Sequence, residues 1–148
     1  MNRMFSRSRT LLKVLLLPVF LHLAPQQGVA GTLYDDLGGN DGVTGVVDQF
    51  LWNLADDERV NAYFVESNIE RFRGKLIEYI CQVADGPCVY SGDNMVRTHA
   101  NMRVTVAAFN VTVESLILAM ETQGIATGVQ NRLLKVLAVA YEDVVAAE

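Results

Sequence analysis

Stop signals constrain this chain more than any other feature. From Thr32 onward, apolar residues recur at three- and four-residue intervals, the period of an amphipathic helix, and strand signals are almost absent. The helices so marked are soon halted, by Gly38-Gly39, by Asp85-Gly86-Pro87 and by Gly124. Six or so helices must share this part of the chain. A helix of two turns is not stable alone, because its first hydrogen bond fixes several residues at once. With 51% of the residues apolar, one respectable core is available. The expectation is an all-α domain whose short helices lean on something central, and a large flat apolar cofactor would serve.

The pattern places each element. Thr32–Leu37 forms a turn or two ahead of Gly38-Gly39. Asp41 is predicted to cap a second helix, with Val43, Val46, Val47, Phe50, Leu51 and Leu54 on one side. Asp56-Asp57-Glu58-Arg59 opens a short polar helix ending near Tyr63-Phe64, and Asn68 caps a helix running to about Val83. A brief helix from about Asp93 carries His99. Thr105 caps a long helix bearing Phe109, Val113, Leu116, Leu118 and Ala119. Thr127-Gly128-Val129-Gln130 reads as a capping box for a final helix through Leu133, Leu134, Leu137, Ala140, Tyr141, Val144 and Val145. Val104-Thr105-Val106 weakens the helix signal locally. Asn110-Val111-Thr112 matches a glycosylation pattern, but inside a predicted helix it reads as chance.

Residues 1–30 read as a secretory signal peptide. Arg3, Arg7 and Arg9 precede a largely apolar run from Leu11 to Ala24, and Gly28-Val29-Ala30 offers a small-residue exit. The run is short for a membrane span, which needs about 20 residues. The expectation is an exported chain, periplasmic or secreted, with a domain over 31–148 and no stable membrane insertion after cleavage. Four of the 12 basic residues lie in the leader and none of the 17 acidic ones, so the remainder carries eight against 17, about −9 net. Such a balance excludes nucleic acid and anionic membrane surfaces as partners, since both need clustered Lys and Arg. Cys81 and Cys88 lack metal-ligand spacing. In an oxidising compartment a disulfide closing their short loop is the natural reading, with two separate buried thiols as the alternative.

With the leader set aside, His99 is the one histidine that remains. Met95, His99 and Met102 share a helix face at i, i+4 and i+7, and Phe72, Leu76 and Ile80 share another at i, i+4 and i+8. Both stripes have the composition of ordinary core. Facing each other, they also fit a slot for a flat plate.

The order of signals resembles the truncated haemoglobins, specifically their group I branch. The resemblance rests on Thr32-Leu33-Tyr34-Asp35-Asp36-Leu37-Gly38-Gly39, Val46-Val47-Asp48-Gln49-Phe50, Ala55-Asp56-Asp57, Tyr63-Phe64, Gly86-Pro87, Tyr90-Ser91-Gly92, Met95 and His99. It covers Thr32 to Val145. It implies a two-on-two helical sandwich around haem b, with His99 as the iron ligand and Phe64 stacked on the haem. A c-type attachment is excluded, since no Cys-x-x-Cys-His occurs. The spacing of Cys81 and Cys88 is similar to that of a subset of bacterial members. A ligating imidazole usually donates its other N–H, and the Met95 carbonyl, one turn earlier, is placed to receive it. Arg71, Lys75, Tyr90 and Arg97 are candidates for the haem propionates, with Lys75 following the family pattern best.

The distal side departs from that pattern. Many relatives place a Tyr where Leu51 stands and a polar group where Leu76 stands, and these donate hydrogen bonds to bound oxygen. Leu51, Phe72, Leu76 and Ile80 cannot donate. Trp52 and Tyr79 would supply a polar group only if the register shifted. Asn101-Met102-Arg103 replaces the Gly-Met-Gly of relatives. The reading is a globin that binds a diatomic gas (O2, NO or CO) reversibly in an apolar distal pocket. One alternative is a haem enzyme, a nitric oxide dioxygenase or a peroxidase-like protein. Another is a haem-free helical interaction module. No reductant or redox partner is indicated.

Overall fold

The computed structural model describes residues 31–146, so the signal-peptide expectation for 1–30 lies outside the described residues. These residues fold as α1 (Leu33–Asp36), α2 (Gly39–Asp56), α3 (Ile69–Val83), α4 (Met95–Thr98), α5 (Val106–Thr122), α6 (Thr127–Leu137) and α7 (Tyr141–Val144). Short 3-10 turns occupy Asn61–Tyr63 and Ala138–Ala140. The one β feature among the described residues is an isolated parallel bridge between Val104 and Val145.

Local chemistry explains most boundaries. Thr32 closes a capping box, its hydroxyl accepting from the Asp35 amide at 3.1 Å while the Asp35 carboxylate accepts from the Thr32 amide at 3.0 Å. Asn68 and Thr105 cap α3 and α5 through their side-chain oxygens, as the sequence predicts. Asp41 does not cap α2. That helix starts at Gly39, after Gly38 turns the chain at φ 93°. A Cβ on Gly42 would fall 1.9 Å from the Leu37 carbonyl oxygen, so α1 and α2 meet with almost no loop between them. Asp41 instead sits in the first turn, where a carboxylate suits the positive helix end.

Three other expectations change. Asp56 ends α2 and Asp57–Arg59 opens no helix of its own, because the Asp57 carboxylate accepts from the backbone and guanidinium of Arg59, leaving only the 3-10 turn beyond. The Thr127–Gln130 capping box does not form. Ala126 is extended at the cap, Thr127 is already helical, and Gln130 donates to the Ile125 carbonyl at 2.8 Å. The last helix does not run through to Val145: α6 ends at Leu137 and the 3-10 turn re-aims the chain. Tyr141 then packs edge-on against Phe109, with ring centroids 4.9 Å apart, and the Ala146 amide donates to the Val104 carbonyl.

The fold is two helical layers, α2 with α3 and α5 with α6. Helix α2 is the hub, packing on both α3 and α5. Its Val43, Val46, Val47, Phe50 and Leu54 are buried against Ala108, Val111, Leu116, Ala119 and Met120 of α5. Full burial of a Leu or Phe side chain contributes about 1.5–3 kcal/mol, so this seam dominates the stability. No helix of the described residues is long and apolar enough to cross a membrane.

Candidate functional site

Between the layers lies a cavity of about 480 Å³, inside the range of roughly 300–1,000 Å³ usual for small-molecule sites. Phe72, Leu76 and Ile80 of α3 line it, and so do Met95, His99 and Met102. The two sequence stripes therefore share one space. Phe64 and Phe72 stack at its edge, with centroids 5.6 Å apart and planes 18° from parallel.

His99 is set by α4, a single turn begun by the Asn94 side chain, which accepts from the Arg97 amide at 2.9 Å. His99 caps the end of that turn instead of lying within it. The Met95 carbonyl lies 3.0 Å from the His99 amide and 2.9 Å from its Nδ1. A carbonyl only accepts, so this contact is a hydrogen bond when Nδ1 carries the proton. Nε2 then keeps its lone pair free for a metal. Among the described residues no three His, Cys, Asp or Glu side chains converge. A metal at His99 must bring its other ligands with it, as the iron of a porphyrin does.

At the rim, Lys75 and Tyr90 line the cavity, whereas Arg71 and Arg97 do not. Arg97 is exposed and pairs with Asp93 at 3.6 Å. Lys75 is already engaged: its Nζ donates to both carboxylate oxygens of Glu78, at 3.0 and 2.9 Å, and to the Ser91 hydroxyl. Glu78 also accepts from the Ser91 amide and hydroxyl, at 3.0 and 2.8 Å. The Lys75 hydrogen bonds first, and then those from Ser91, lower the Glu78 carboxyl to about 2. The Tyr90 phenol donates to the Asp93 carbonyl at 2.8 Å, and its ring meets Tyr79 edge-on at 5.3 Å. Burial pushes the Tyr79 phenol up. Cys81 and Cys88 are joined as a disulfide with Cα atoms 5.8 Å apart.

Leu51 is a correction. It packs half-buried against the core and does not line the cavity; Phe50 does, from the preceding position. One residue turns a helix by about 100°, enough to move a side chain from wall to seam. The replacement is equally unable to donate a hydrogen bond. Trp52 points outward, 74% exposed, toward a separate polar cleft between α2 and α5. Tyr79, expected beside the lining, is part of it, and the sequence did not mark Tyr63 or the far wall, where Phe109, Val113 and Leu116 of α5 and Leu134 and Leu137 of α6 close the space. Apolar periodicity marked the α5 and α6 residues only as core, and Leu116 is buried there while Phe109, Leu134 and Leu137 pack against it.

The comparisons agree with this architecture. The family described as Bacterial-like globin matches residues 32–145. The Group 1 truncated hemoglobin GlbN of Nostoc sp. (strain MUN 8820) is 30% identical over 94 residues, spanning 64% of this chain and 80% of the relative. Its counterpart in Mycolicibacterium paratuberculosis is 25% identical over 117 residues, spanning 79% and 86%. The crystal structure of the truncated hemoglobin of Tetrahymena pyriformis in its Fe(III) form superposes with a TM-score of 0.76 at 25% identity. That match covers 79% of this chain and all of the other. A two-layer helical sandwich around a His-bearing apolar slot, matched by a family over nearly all its described length, settles the kinship: the chain belongs to the bacterial-like globins, and is a haem-binding globin of the truncated, two-on-two kind.

Proposed function

We propose that the cavity holds haem b, that His99 Nε2 is the iron ligand, and that the protein reversibly binds a diatomic gas (O2, NO or CO). The observation that carries this reading is the Met95 carbonyl, which engages Nδ1 and leaves Nε2 unengaged in a cavity walled by apolar side chains. Haem held from one side by an imidazole supplies an open iron position for a small gas. The chain's own residues do the rest. Phe64, Phe72, Leu76 and Ile80 exclude water from the slot, and Met95 fixes the imidazole's tautomer and ring direction. Tyr90 closes the edge, and Lys75, steadied by Glu78, sets a cation at the rim for a propionate. Phe50, Phe72, Leu76 and Ile80 offer no donor to the gas, which leaves the Tyr63 and Tyr79 phenols as hydroxyl donors among the aromatic lining residues. The region 1–30 is proposed as a signal peptide delivering the chain to an oxidising compartment, a reading in keeping with the disulfide.

Absorption spectra of the purified chain test this, in ferric, ferrous and CO-treated forms. Haem uptake with a Soret band that is lost in His99→Ala is the expected result. Absence of haem uptake, or an unchanged spectrum in His99→Ala, removes the assignment.

A further inference from the structure

We propose that segment 86–94 is a strap that sets how fast haem enters and leaves the cavity, and that the Cys81–Cys88 disulfide places this strap under thiol control. The inference rests on the haem reading above.

The strap joins the end of α3 to α4, so it links the wall bearing Leu76 to the turn bearing His99. It runs back along one face of α3, where Lys75, Glu78 and Gln82 stand at i, i+3 and i+7. Gln82 accepts from the Tyr90 amide at 2.7 Å, Glu78 accepts from the Ser91 amide at 3.0 Å, and Lys75 donates to the Ser91 hydroxyl. At its start the Gly86 amide donates to the Cys81 carbonyl at 2.8 Å. A Cβ on Gly86 would fall 2.7 Å from both that oxygen and the Cys81 sulfur, so only glycine lets the strap lie so close. Its one inward side chain of size is Tyr90, which forms the cavity's edge beside Tyr79.

The ties of Tyr90 and Ser91 to Lys75, Glu78 and Gln82 are hydrogen bonds at exposed positions, which water can replace. The disulfide is covalent. It anchors the strap two residues before Tyr90, and its cleavage leaves Tyr90 and Ser91 held by exchangeable hydrogen bonds and the Tyr79 contact. Cys81 is buried and Cys88 half-buried, so a thiolate from a dithiol reductant reaches the Cys88 sulfur. The S–S bond breaks, a mixed disulfide forms at Cys88, and Cys81 leaves as a thiolate that takes a proton. The reductant's second thiol then attacks the mixed disulfide and frees Cys88. Two electrons and two protons pass to the protein, and the dithiol becomes a disulfide.

The test follows haem transfer from the loaded chain to excess apomyoglobin by the Soret band, with the disulfide intact, after dithiothreitol, and in Cys88→Ser. Release on the order of tenfold faster is expected in the last two states, given what closing such a loop restrains. Glu78→Gln should speed release by a few-fold with the disulfide intact. Hydrogen exchange on the haem-free chain gives an independent reading: the Tyr90 and Ser91 amides should exchange faster on reduction, while those of α2 and α5 hold. Equal release rates, or exchange that rises uniformly through α2 and α5, overturns the proposal. A chain that takes up no haem overturns the haem assignment instead, and the exchange measurement still decides whether thiols loosen the strap.

Discussion

The Met95 carbonyl accepts from both the amide and the ring of His99, so one acceptor fixes where the imidazole sits and which nitrogen is free. That arrangement was readable from spacing, because residues four apart in a helical turn bring a carbonyl to the later side chain. The opposite wall was readable only in part. Phe72, Leu76 and Ile80 fall where their i, i+4, i+8 spacing puts them, yet Leu51 gives way to Phe50 because both are apolar and neighbours on α2. Polarity does not distinguish two hydrophobes a third of a turn apart. The chemical consequence survives the swap, since neither donates. Leu76→Gln should therefore add a donor at a position that has none and raise O2 affinity by about two- to tenfold, with a smaller change for CO, one hydrogen bond being worth roughly 0.5–1.5 kcal/mol. Gas titration followed by absorbance checks this. Equal gains for both gases would point to a change in packing instead.

Caps tell a similar story for the helices. Asn68 and Thr105 work as their residue types lead one to expect, while Asp41 and Thr127 do not. The two failures share a cause: each lies just past a glycine in the left-handed region, Gly39 at φ 64° and Gly124 at φ 70°, where the chain turns before the polar residue arrives. A cap depends on backbone direction at one residue, and that direction is set by the neighbouring helix, which local sequence does not encode. Asn68→Ala should cost about 1 kcal/mol and lower the melting temperature by roughly 4 °C. Asp41→Asn should move it far less, since only a charge near a helix end is lost. Thermal unfolding followed by circular dichroism separates the two. The short α4 was legible as a brief helix, whereas α7 was read as the tail of the last helix, and the order of both comes from tertiary contacts. In the haem-free chain their amides should exchange sooner than those of α2 and α5, which hydrogen-exchange mass spectrometry would register.

Acid should act on the assembled fold through the carboxylates that tie its parts together. Glu78 links α3 to the strap, and Asp48 of α2 pairs with Arg73 of α3. The Arg73 hydrogen bond holds the Asp48 carboxyl below its usual range, the Arg59 hydrogen bond does the same for Asp57, and Lys75 brings Glu78 to about 2. Each group binds its proton more weakly folded than unfolded. The unfolded chain thus takes up protons first as pH falls, and the stability these groups add is present above pH ~4 and lost below it. The melting temperature should stay level from pH 7 to about 5, then decline toward pH 2.5. Glu78→Gln should flatten part of that decline while starting from a lower value at pH 7, because the amide keeps an acceptor for Ser91 but loses the charge facing Lys75. A variant curve parallel to that of the parent at every pH would show that Glu78 contributes by shape alone. It would also leave Lys75 without the fixed partner that steadies it at the cavity rim.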